Sequence, residues 1–415
     1  MRSSVDTAVP APQEGRLRAL HALRSRDFRL LWLGQTLSLI GNGAFVVALG
    51  WKTVEFTGSS SSLAVVLMAN AAAMLTTLLV GGALADRYPR RALMIASDLA
   101  RFGIVGSLVL CDVTNTLSFG LLIAFAVGVG LADGFFHPAF GGIVPLVVEQ
   151  PLLASANTLI GLSRQIGFVV GPAIAGVAYG VFGSASVFGI DAVTYLVAAS
   201  LLGLARPRRI AAEPGEGTIR EIVSGLRYVA SVPWLWISIA VAAFAVMVTM
   251  APFQSLLPEL VQQEFGRDVG AYGLLFTLQA LGMALGTLAF GQTNPRRHRI
   301  LWMYGLFALN DLLVIVLALG SYEIAALMVL LRGAAIGFGI GIWSTLLMEL
   351  VPESKLSRVV SVDFFGSFGL LPLGYALSAL VADSASPALL IAGGAAISFL
   401  IWTLPLLSRQ VRSAA

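Results

Sequence analysis

Apolar residues run along this chain in long blocks parted by short polar breaks, at about 28–51, 61–85, 93–113, 116–139, 155–182, 185–205, 234–257, 270–292, 300–320, 323–347, 357–382 and 386–407. Each block supplies the roughly 20 residues that a helix needs to cross a bilayer. The pattern predicts twelve spans, numbered one to twelve below. Periodicity inside a block says little, because faces turned to lipid and faces turned to neighbours are both apolar. The longest polar interruption, 206–232, divides the spans six and six. It opens on Pro and Arg, passes a Gly/Glu turn and continues as an amphipathic surface helix.

These breaks set the expected organisation. Residues 1–22 hold Pro, Ser, Ala and charges without an apolar signal-peptide core, and are read as a disordered cytoplasmic tail. Residues 23–205 form a first six-helix bundle, 206–232 a cytoplasmic linker, 233–408 a second six-helix bundle and 409–415 a short cytoplasmic tail. The fold class is all-α integral membrane.

Composition agrees. The chain is 57% hydrophobic and 12% charged, with a mean hydropathy of +0.87, whereas a soluble domain is about 25% charged. The 44 glycines suit close helix packing in lipid. The single cysteine, Cys111, excludes a disulfide framework and a Cys-based metal site. No phosphate-cradling loop, zinc-protease or serine-hydrolase motif appears. No metal or cofactor is expected.

Charge placement orients the spans. Arg2, Arg16, Arg18, Arg24, Arg26 and Arg29 precede or open span one. Arg87, Arg90 and Arg91 fall between spans two and three. Arg206, Arg208, Arg209, Arg220 and Arg227 lie between six and seven. Arg296, Arg297 and Arg299 follow span eight, Lys355 and Arg358 follow span ten, and Arg409 and Arg412 end the chain. Together these are 21 of the 26 Lys and Arg residues, and twelve spans put all of them on one side. The positive-inside rule makes that side, and both termini, cytoplasmic. The sequence pI near 9.5 therefore reflects topology rather than nucleic-acid binding. The triplet Pro89-Arg90-Arg91 returns as Pro295-Arg296-Arg297, a weak echo of duplication, with Gln292 at the place of Asp86.

Two motifs carry a resemblance. The connection Gly82-Ala-Leu-Ala-Asp86-Arg87-Tyr-Pro-Arg90-Arg91 resembles the loop between spans two and three of the major facilitator superfamily, with Pro89 where that family usually has Gly. Gly167-x-x-x-Gly171-Pro172-x-x-x-Gly176 in span five resembles the signature of that superfamily's exporters, with Ala175 replacing one Gly. Residues 23–32, Gly225 to Val229 with Pro233-Trp234, and Phe188-Gly189-Ile190-Asp191-Ala192 look like the subgroup of multidrug and enterobactin-type exporters. The resemblance implies two pseudo-symmetric six-helix bundles, a cavity lined by spans one, four, seven and ten, and a monomer. It also implies a cytoplasmic latch of Gly82, Asp86, Arg87, Arg90 and Arg91, with Asp363 of span eleven as partner. The alternative is that these arginines only set topology.

Ionisable residues inside spans are functional candidates by default. Asp98 and Arg101 lie three apart on span three and are expected to pair. Asp133 of span four is read as the proton carrier or as a standing partner of Arg164 in span five. Asp311 of span nine and Arg332 of span ten lie at similar depth and are expected to pair, with both retained as proton-coupling candidates. Span four has no Arg, unlike the superfamily's proton-coupled members. Gln35 and Asn42 share a face of span one. With His137, Met247, Met250, Gln254 and Trp343 they are cavity candidates, each with ordinary helix packing as its alternative.

The expected protein is a proton-coupled exporter of an amphipathic small molecule in a bacterial inner membrane. The high Ala, Gly and Arg content suggests a GC-rich bacterium. Partners are the substrate, protons and the bilayer, with no nucleic acid. The alternatives are an importer or uniporter of the same fold, a non-transporting membrane receptor and a membrane-embedded enzyme.

Overall fold

The computed structural model describes residues 18–208, 218–293 and 295–407, which are helical with no strand. Twelve spans follow one another: Arg26–Thr57, Ser60–Gly82, Arg90–Val113, Phe119–Val147, Gln150–Phe182, Ser184–Leu204, Pro233–Glu264, Val269–Thr293, Arg299–Leu319, Tyr322–Leu350, Arg358–Ser384 and Pro387–Leu406. The helix of span two continues to Arg87. An even number of crossings puts both ends of the chain on one side, called the end side below, and the other the far side.

Local chemistry places the boundaries. Serines 25, 59, 118, 321 and 386 accept a hydrogen bond from a first-turn backbone N–H, capping spans one, two, four, ten and twelve. Gly58 closes span one with φ +69°, a left-handed conformation that favours glycine. A short 3₁₀ turn, Arg18–Arg24, precedes span one. Its Ala22 is fully buried, and the Ala22 N–H donates to Ser155 of span five at 3.1 Å. The ordered chain thus begins before the boundary drawn at residue 22, because this turn has a partner to bury against. Residues 1–17 and the C-terminal tail lie outside the described residues.

The halves repeat one packing device. Gly130 and Gly134 let span four lie against span two: a Cβ on Gly130 would stand 2.3 Å from the Asn70 carbonyl oxygen, and one on Gly134 would stand 2.7 Å from that of Met74. Gly333 and Gly337, at the same chain offset, bring span ten onto span eight. There a Cβ would meet the carbonyls of Gln279 and Met283 at 2.2 Å. Glycines four apart make the flat helix face such crossings need.

The core divides by side. On the far side one cluster joins both halves, with Val47, Trp51 and Tyr179 beside Leu256, Tyr272 and Leu275. On the end side the halves keep separate cores. Phe28, Met94, Phe140 and Leu202 belong to the first, while Tyr304, Leu346 and Trp402 belong to the second. The principal contacts between halves are span five with span eight and span two with the far half of span eleven. The molecule is therefore closed on the far side and parted on the end side. The linker helix Thr218–Ser231 packs on span eleven, and its Val229 is buried with Leu235 and Val359.

Candidate functional site

Arg101 organises the first half. Its guanidinium donates to Asp98 at 2.9 Å and to Asp133 at 3.0 Å. The rings of Phe136 and Tyr195 lie 4.2 and 4.7 Å from its central carbon, placing the cation over aromatic faces. Asp98 and Arg101 are buried, while the Asp133 side chain keeps 17% exposure. The expected Asp98–Arg101 pair is present. The Asp133–Arg164 pair is not: Arg164 is exposed on span five, and Arg101 takes its place. The reason is packing, since span three lies along span four over much of its length and span five barely touches it. His137 is exposed one turn beyond Asp133.

Sequence reasoning left Asp191 out of the site. It is fully buried on span six, and neither carboxylate oxygen has a hydrogen-bond partner among the described residues. Its presence within the apolar run 185–205 was the available signal.

The second half has a different arrangement. Asp311 and Arg332 are both buried but make no direct ion pair. Asn310 stands between them, donating to Asp311 at 3.0 Å and accepting from Arg332 at 3.0 Å. Arg332 also donates to Gln279 at 2.9 Å and lies 4.0 Å from the Phe253 ring centroid. The expected direct pair is thus replaced by an amide bridge, because Asn310 precedes Asp311 on the same turn. Thr249 of span seven adds a hydrogen bond to Asp311 at 3.4 Å. Thr249 belongs to a π-helical stretch, Val246–Met250. Pro252 lacks the N–H that an α-helix would direct at the Val248 carbonyl, so span seven widens there.

The two motifs occupy distinct places. Gly167 and Gly171 face span one, where a Cβ would lie 2.8 Å from the Leu39 carbonyl oxygen and 2.5 Å from that of Ile40. The Pro172 carbonyl and Gly176 face span eight, opposite Gly273 and Gly270. The stretch clamps span five between its own half and the other one. In the loop after span two, Arg90 donates to the Gly142 carbonyl at 2.5 Å, and Arg91 donates to Leu202 at 2.9 Å and to Gly203. Arg87 is exposed and Gly82 has open space beside it. The Asp86 side chain lies outside the described residues. Asp363 accepts from Trp343 at 2.9 Å and from Ser367 at 3.2 Å, within its own half.

Of the cavity candidates, Gln35 is buried and Asn42 half-buried, and neither side chain hydrogen-bonds a described residue. Met247 and Met250 are half-buried in the π-helical stretch. Gln254 accepts from the Tyr375 hydroxyl, and Trp343 stands edge-on to Trp234.

Two repeated six-span halves, joined on one side and parted on the other around buried charges, define a polytopic membrane transporter. The Major Facilitator Superfamily model matches residues 31–362, and the chain belongs to that family. Relatives at 26% identity include macrolide efflux protein A of Streptococcus pyogenes, matched over 86% of this chain and 89% of that protein. They also include the enterobactin exporter EntS of Shigella boydii, over 86% and 88%. Among solved structures, a bacterial homologue of the human lysosomal transporter Spinster, in an inward-facing conformation, aligns with a TM-score of 0.70 at 17% identity over 97% of this chain and 98% of that one. The nucleoside transporter NupG aligns with a TM-score of 0.74 at 11% identity over 91% and 98%. These likenesses describe the fold.

Proposed function

We propose that this protein is a secondary active exporter that releases an amphipathic small molecule by alternating access, in exchange for protons. The observation that carries the reading is the Gly167-to-Gly176 clamp at one of the two faces where the halves meet. A hinge of small residues lets span five close on span eight without side chains to displace. The efflux proteins among the relatives support the direction of transport.

The end side carries most of the arginines, so it is read as cytoplasmic, in a bacterial inner membrane. The present state then accepts substrate from the cytoplasm. Gln35, Asn42, His137, Met247, Met250, Gln254 and Trp343 contact it. Methionine adapts its shape to varied ligands. A state closed on the end side follows, latched by Gly82, Asp86, Arg87, Arg90 and Arg91 with Asp363. Binding of substrate and proton biases the two states through their different affinities for each. Asp133 is the coupling carboxylate, since it alone of the Arg101 ligands keeps exposure. Asp311 and Arg332 are the second coupling candidates. A single chain forms the whole pathway, and no cofactor takes part.

The test is accumulation of ethidium in sealed inside-out vesicles, with and without a protonophore, for wild type and Asp133→Asn. Uptake by wild type that collapses with the protonophore and is lost in the variant is expected. Protonophore-insensitive uptake would remove proton coupling.

A further inference from the structure

The cluster around Arg101 has more carboxyl groups than cations. Asp98 and Asp133 share the guanidinium, and Asp191 is left without a partner. Asp191 lies against span one at Gly41, where an added Cβ would stand 2.7 Å from Asp191 Oδ1 and 2.4 Å from Thr194 Oγ1. Tyr195, one turn on along span six, places its ring 4.7 Å from the Arg101 central carbon, so span six faces the cation from the same stretch that carries the orphan carboxyl. An ionised carboxylate buried with no donor loses its hydration without compensation, and such groups neutralise instead. A hydrogen-bonded structural role would have supplied partners; here both oxygens lack them.

We propose that Asp191 is the carboxyl that holds the proton during transport, with Asp133 as its point of access and Arg101 dividing its charge between them. This rests on the proton-coupled reading above and assigns the site of the proton within it. In the present state Asp191 is neutral, and Arg101 is occupied by Asp98 and Asp133. When spans one and six separate at Gly41, the proton passes from Asp191 Oδ to water and leaves a carboxylate, and the guanidinium turns past Tyr195 to compensate it. The groups facing this site are Asp98 and Arg101 from span three, Asp133 and His137 from span four and Tyr195 from span six. Span one presents Gly41, and Arg164 of span five is exposed.

The neutral state makes an unusual demand: Asp191→Asn, which mimics a protonated carboxyl, must fold as stably as wild type. Infrared spectra of the purified protein in lipid nanodiscs, at neutral pH, read the protonated-carboxyl C=O band directly and need no substrate. The expected result is a band present in wild type and in Asp98→Asn, absent in Asp191→Asn, with unchanged melting of that variant. In inside-out vesicles, ethidium uptake by Asp191→Asn loses its protonophore sensitivity. A band that survives in Asp191→Asn, or a variant that no longer folds, overturns the assignment. Loss of the band in Asp191→Asn, with wild-type uptake indifferent to the protonophore, would instead overturn the coupling role.

Discussion

The Trp343 indole donates to Asp363 at 2.9 Å and ties span ten to span eleven on the end side. Ser367 adds a second hydrogen bond to the same carboxylate. Across the gap, Arg90 and Arg91 are satisfied by carbonyl groups of spans four and six. Arg90, Arg91 and Asp363 of the proposed latch therefore each have a stand-in partner inside their own half.

Trp343→Phe removes one of those stand-ins. A hydrogen bond to a charged group contributes about 1.5–3 kcal/mol net, so the state closed on the end side is expected to gain roughly tenfold or more in population. With Cys111→Ser as background, a cysteine at Asn42 should react more slowly with a soluble thiol reagent applied from the end side. Unchanged reactivity would show that Trp343 does not restrain Asp363.

Arg101→Ala leaves the buried Asp98 without its cation. Breaking a buried ion pair from one side costs about 3–5 kcal/mol, and the expected outcome is a large loss of thermal stability in detergent. Arg101→Lys should recover only part of it, since an ammonium cannot reproduce the planar fork that holds Asp98 and Asp133 together. Melting at the wild-type temperature in Arg101→Ala would contradict the geometry.

Gly273→Val targets far-side closure. A Cβ at Gly273 would stand 2.6 Å from the Pro172 carbonyl oxygen. Overpacking costs about 1–3 kcal/mol, which moves a two-state equilibrium by roughly 5- to 150-fold. Spin labels on the far-side ends of spans two and eleven should report a longer mean separation, with the individual bundles intact. No change in the distance distribution would mean that span eight yields without opening.

Glu259→Ala acts on the same closure. The Glu259 carboxylate accepts from the Ser60 N–H at 3.0 Å, capping span two from the opposite half. A hydrogen bond to a charged group contributes about 1.5–3 kcal/mol, so the far-side separation should lengthen here too. Glu259→Gln, which keeps an acceptor, should lengthen it less. Equal effects of the two would remove the capping role.

Much of the architecture was legible in the chain. The count of spans follows from run length against bilayer thickness, and the alternation of arginines is internally consistent only with twelve. The Gly167-to-Gly176 stretch was recognisable as a close-packing face, although which of its residues meet the other half was not. The pairing of buried charges was legible only where it is local. Asp98 and Arg101 sit one turn apart, so helix geometry alone joins them. Asp133 was matched to Arg164 by depth, and Asp311 to Arg332 likewise. Depth along a span says nothing of which face a residue occupies, and Arg101 and Asn310 took those places.

The sequence by itself determined that this chain crosses a membrane twelve times in two related halves, because apolar run length and small-residue spacing act within one helix or between chain neighbours. Only the tertiary structure decided which side is closed, that Asp363 is held by Trp343, and that Asp191 is left without a partner. Those facts depend on helix rotation and on which spans touch, and a helix that is apolar all round carries no periodic mark of either.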